Sequence, residues 1–108
     1  MHERMLRRKF LRGLIYGLRV VWPILSAILV LIIALGLVVG MREGWSIHES
    51  IYFAFVTGLT IGYGDLAPKF FLTRLLAIAI GLCGLLLTAL IAAIAVKALA
   101  EATEDRER

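Results

Sequence analysis

Six consecutive residues, Thr60-Ile61-Gly62-Tyr63-Gly64-Asp65, carry the chemistry that stands out in this chain. A cation that leaves water needs oxygens in place of its hydration shell, and a row of backbone carbonyls supplies them without adding formal charge. For successive carbonyls to point the same way, alternate residues must reach backbone angles that a β-carbon disfavours, and Gly62 and Gly64 stand at alternate positions. The Thr60 hydroxyl can add one more oxygen ring at the inner end of the row. One chain provides only one wall of such a path, so a closed ring needs several copies around an axis, and cyclic symmetry makes that a homo-oligomer. Taken alone, these residues read as a cation pathway shared by several subunits. A dinucleotide-binding glycine loop is excluded, because there is no third glycine and no preceding β-unit.

The elements that must hold this row are legible from charge and hydropathy. The 108 residues are 61 % hydrophobic, with a mean hydropathy of +0.92, more apolar than a small water-soluble domain can cover with polar surface. An uncharged run, Val20 to Met41, lies between Arg19 and Arg42, and a second, Leu75 to Val96, lies between Arg74 and Lys97. A helix of either length covers about 33 Å at 1.5 Å per residue, against a hydrocarbon core of about 30 Å. The expected organisation is an outer helix over 20–41, an inner helix over about 75–96, a basic segment over 1–19 and a tail over 97–108. Two spans and their connection leave no room within these residues for a further catalytic or ligand-binding domain.

The net charge of +4 could be mistaken for a nucleic-acid signal, but Arg4, Arg7, Arg8, Lys9, Arg12 and Arg19 all precede the first apolar run. That distribution is a topology signal. It places both termini in the cytoplasm and the segment from Arg42 to Arg74 outside, in a multi-pass protein of the cell membrane. Met5, Leu6, Phe10, Leu14 and Leu18 recur at helical spacing, which suggests an amphipathic helix along the inner leaflet in contact with lipid, or else a continuous extension of the outer helix. Trp22-Pro23 is expected in an early turn of the outer helix, where a proline costs few hydrogen bonds. The tail reads as the solvated end of the inner helix. The apolar start is too long for a cleaved signal. Cys83, the single cysteine, reads as a small buried hydrophobe. No nucleophile-base pair, metal cluster or carboxylate pair suggests an enzyme or a cofactor.

The connection between the spans is too apolar for an aqueous loop, since Ile51 to Val56 run together before the glycine-rich stretch. It must dip back into the protein, and irregular backbone at membrane depth is tolerated only where protein surrounds it or where it lines a watery path. Ser46 with Glu49 three residues on forms a capping-box pattern, and it starts a short helix over about 47–59. Running inward, that helix brings the negative end of its dipole, roughly half an elementary charge, to the start of the carbonyl row.

With its context, the run 60–65 resembles the filter of the potassium-channel pore family, T-V-G-Y-G-D, with Ile61 in place of valine; that family's filter is a standard example of carbonyl coordination. The chain from Val20 to Val96 looks most like the small two-span prokaryotic potassium channels. The resemblance implies an all-α membrane protein whose two spans flank a re-entrant pore helix and filter, assembled as a homotetramer that passes K+ as permeant ion. It implies filter sites formed by the carbonyls of Thr60, Ile61, Gly62 and Tyr63, with the Thr60 hydroxyl completing the innermost. Gly64 and the side chains of Tyr63 and Asp65 would support the filter rather than touch the ion. Some members have two tryptophans and a glutamate where this chain has Tyr52, Phe53 and Val56; Phe53 cannot hydrogen-bond to Tyr63 and Val56 cannot bridge to Asp65, which leaves Tyr52 to hold Asp65.

Gly84 falls where the family commonly has a glycine that lets the inner helix bend, although glycine also serves close helix packing in membranes. Thr88, Ala92 and Val96 follow it at i, i+4 spacing and share one face, the expected lining of the central cavity and cytoplasmic entrance. Two other readings stay open at this point. One is a poorly selective cation channel; the other is a non-conducting subunit that assembles with a larger channel.

Overall fold

The computed structural model describes residues 2–107, the side chains of His2 and of residues 104–107 excepted. Three helices follow in order: α1 (His2–Glu43), α2 (Ile47–Gly58) and α3 (Phe71–Glu107). The chain divides into two compact units. One is Ser26–Thr88, and the other pairs Met1–Leu25 with Ala89–Arg108.

The basic segment and the outer span form one helix. α1 continues from His2 through the expected boundary near residue 19, which corrects the reading of a separate helix along the leaflet and favours the continuous extension. Leu, Arg and Lys are good helix formers and outweigh Gly13 and Gly17, which cost about 1 kcal/mol each, and no proline lies between Met5 and Arg19. Pro23 is therefore inside the helix rather than in an early turn. It removes one backbone hydrogen bond, a loss that membrane helices tolerate by local adjustment. α3 likewise starts a turn before the expected position and continues through Glu107, so the tail is helical; Arg108 lies outside the described residues.

Local chemistry sets the helix ends near the connection. Gly44 adopts φ of 79° just past α1, and the Trp45 N–H reaches the Gly40 carbonyl at 2.9 Å, the longer bond of a Schellman stop. The capping box at the start of α2 is present, with Glu49 N–H donating to Ser46 Oγ and Ser46 N–H to Glu49 Oε1, both at 3.1 Å. Two residues separate the stop from the cap, so the chain reverses at once into the short helix.

The core of the unit 26–88 is built from all three helices: Ile32 and Val39 of α1, Phe53 and Ala54 of α2 and Ile80 of α3, with Trp45, Leu66 and Cys83 partly buried against it. In the other unit, Gly13 and Gly17 of α1 approach Ala98 and Ile94 of α3, and a groove of about 450 Å³ runs between these two helix segments. Both long helices keep large apolar side chains such as Val30, Ile78 and Leu82 exposed. Glu3–Glu43 and Phe71–Thr103 are long and apolar enough to cross a membrane.

Candidate functional site

The site starts at the carboxyl end of α2. Leu59 N–H donates to the Phe55 carbonyl at 2.9 Å, Thr60 N–H to Thr57 at 3.1 Å, and both Ile61 and Gly62 N–H groups to Val56, at 2.9 and 3.2 Å. The last turn of the helix thus captures the N–H groups of the next four residues. Among the described residues, the carbonyls of Thr60, Ile61, Gly62 and Tyr63 accept no hydrogen bond. They are the free oxygens of the stretch.

Backbone angles explain why. Thr60, Gly62 and Gly64 have φ of 61°, 60° and 83°, while Ile61 and Tyr63 between them do not enter the positive region. This alternation is what co-directed carbonyls require, and two of its three positive positions are glycines. Thr60, β-branched, is the exception, and a left-handed conformation there costs on the order of 1–3 kcal/mol. Its hydroxyl donates to the Leu59 carbonyl at 2.6 Å, which fixes the side chain and leaves the hydroxyl lone pairs open. Ile61 and Tyr63 are exposed in the single chain, Tyr63 at 69 %.

Tyr52 of α2 comes near enough to Asp65 for its hydroxyl and the carboxylate to interact. Phe53 turns the other way. It is buried in the core and meets Trp45 edge-on, with centroids 5.0 Å apart and planes at 61°. Val56 is buried as well. Gly84 stands so close to α2 that a β-carbon on it would overlap the Gly58 carbonyl oxygen; Thr88, Ala92 and Val96, further along α3, are all exposed.

The structure adds a cluster that residue types alone did not reveal. The Glu43 carboxylate, at the end of α1, accepts from Lys69 N–H at 2.6 Å, Phe70 N–H at 3.3 Å and Thr73 Oγ at 2.6 Å. Thr73 is fully buried, and Arg74 Nε donates to the Pro68 carbonyl at 3.2 Å. Glu43 lies beyond the uncharged run 20–41. The Thr73 hydroxyl, then the Lys69 and Phe70 amides and the Lys69 charge, hold its carboxyl below the ordinary value against the opposing effect of burial. A carboxylate at the amino end of α3 also suits the helix dipole. In sequence the only hint was an acidic residue placed next to the helix-stopping Gly44.

Among the described residues no three His, Cys, Asp or Glu side chains come together, so the backbone oxygens between Thr60 and Tyr63 are the candidate ligands for a cation. Two long apolar helices with a short helix and a row of free carbonyls between them define a membrane protein of the transport class. A family model described as an ion channel matches residues 26–101, and the chain belongs to that ion-channel family. Neither a curated protein nor a solved structure matches it.

Proposed function

We propose that the chain is the subunit of a potassium-selective channel, a homotetramer in the cell membrane with both termini in the cytoplasm. The observation that carries this reading is the left-handed backbone at Thr60, Gly62 and Gly64 combined with uncommitted carbonyls from Thr60 to Tyr63. Such a row offers potassium a replacement for its hydration shell at little electrostatic cost, because carbonyl dipoles carry no formal charge. The helix-dipole end of α2 points partial negative charge at the inner end of the row. Four copies would close the ring, and the exposure of Tyr63 in one chain is what a wall facing neighbouring subunits would show. Thr60 supplies the innermost oxygens; Tyr52, Asp65 and Gly64 hold the outer part. Lipid surrounds the two long helices.

The test is the reversal potential of purified protein in planar bilayers, with potassium on one side and sodium on the other. Reversal toward the potassium limit is expected, and loss of that preference in Gly62→Ala, where an alanine must adopt a conformation costing about 1–2 kcal/mol. Reversal near zero in the wild type would make the protein a nonselective pore. Silence that persists until a second channel protein is added would make it an accessory subunit.

A further inference from the structure

The filter segment has almost nothing of its own to lean on. A β-carbon added at Gly62 or Gly64 would meet no atom within 4 Å, and the N–H groups of Thr60, Ile61 and Gly62 are bonded only to the last turn of α2. Where α2 sits therefore decides where the carbonyl row sits. One face of α2 carries small residues at every fourth position, Ser50, Ala54 and Gly58, and each meets a glycine of a long helix. A β-carbon on Gly40 would overlap Ser50 Oγ, and one on Gly36 would come within 2.5 Å of the Ala54 β-carbon and 3.0 Å of the Ser50 carbonyl. On the other side, a β-carbon on Gly84 would strike the Gly58 carbonyl. Ser50 and Ala54 are buried, and Ser50 Oγ is held by the Ser46 carbonyl at 2.8 Å, so neither side chain can swing away.

From these contacts we infer that Gly36, Gly40 and Gly84 form a three-point seat that fixes the height of α2 and so of the carbonyl row, making them positioning residues for ion selectivity. The inference rests on the potassium reading above. Gly58 is two residues from Thr60, and Val56, whose carbonyl holds both Ile61 and Gly62, is on the same turn. Packed interiors transmit displacements of a methyl group rather than absorb them. An added methyl at the seat therefore displaces α2 and, with it, the carbonyl row. Gly84 acts here as a contact point, because its neighbouring space is filled by the backbone of α2. Gly81, one turn away, has nothing within 4 Å of its β-position and marks the contrast.

Size exchange across the seat tests this. In the bi-ionic bilayer experiment, Gly36→Ala is expected to lower the potassium-to-sodium permeability ratio by about tenfold, within the range of coupling between contacting residues, and Ala54→Gly in the same chain to restore most of it. Gly84→Ala, which has no smaller partner to compensate it, is expected to lose the preference; Gly81→Ala is expected to keep it. Assembly is followed by size-exclusion chromatography. If Gly36→Ala fails to assemble, recovery of both assembly and selectivity in the double variant supports the seat, and failure of that recovery overturns it. A selective wild type whose Gly36→Ala assembles and keeps its full ratio overturns the seat alone. A wild type that reverses near zero overturns the potassium reading, and this inference with it.

Discussion

In the proposed channel, Thr60 combines backbone strain with an ion-facing role. Its φ of 61° is expensive for a β-branched side chain, yet its hydroxyl is held by the Leu59 carbonyl and its amide by Thr57. Two variants separate these contributions. Thr60→Ser keeps the hydroxyl and relieves crowding at the β-carbon, so potassium selectivity should persist. Thr60→Val keeps the shape but removes the oxygen and leaves Leu59 without its donor, a loss of about 1 kcal/mol, and single-channel conductance should fall. Equal conductance in the two variants would remove the hydroxyl from the ion path. Tyr52 gives a second prediction. If the Tyr52 hydroxyl braces Asp65 in a potassium-binding row, as proposed, the Tyr52→Phe variant should need more potassium for protection against heat. A loss of about 1 kcal/mol corresponds to roughly a fivefold higher protective concentration. An unchanged protection curve would mean that Asp65 is held by something other than Tyr52. The six-residue motif was readable in the sequence because its glycines alternate. That Phe53 turns into the core toward Trp45 was not, since an aromatic residue at that position fits the filter side and the core side equally well.

At the scale of elements, the sequence marked the existence of the helices better than their ends. Charges bounded the uncharged runs at Arg19 and Arg74, but a charge is no helix breaker, and both long helices continue past those residues. The capping box, which acts through local backbone hydrogen bonds, placed the start of α2 well. The start of α3 depends on Glu43, a residue 26 positions before its nearest amide partner, and no local pattern could announce that contact. Its pH behaviour follows from the lowered carboxyl. A carboxylate whose folded pKa is depressed contributes stability that is fully present above the ordinary value of 4.5 and is lost as pH falls through the lower folded value. Acid should therefore release the amino end of α3 before it unfolds the chain. Hydrogen exchange at the Lys69 and Phe70 amides should speed up below that pH in the wild type, and should be pH-independent beyond the intrinsic rate in Glu43→Gln. Parallel profiles in the two proteins would show that Glu43 does not govern this end.

The molecule as a whole has helices longer than its solvent demands. α1 has 42 residues, about 63 Å at 1.5 Å per residue, against a hydrocarbon core of about 30 Å. Its excess carries the six basic residues Arg4 to Arg19. The basic excess favours the cytoplasmic side, and the orientation of α2, with its capping box at the opposite end, follows from it. In a Cys83→Ser background, a cysteine replacing Arg4 should react with a membrane-impermeant thiol reagent only after the cell interior is opened, and one replacing Arg42 should react in intact cells. The reversed pattern would put the Thr60 end of the carbonyl row toward the outside, with the helix-dipole end of α2 at the external mouth. A cysteine at Ala92, on the face expected to line the cavity, should react only from the side on which Arg4 is found, and only while the channel is open. Its failure to react in open channels would move the cavity lining to another face of α3.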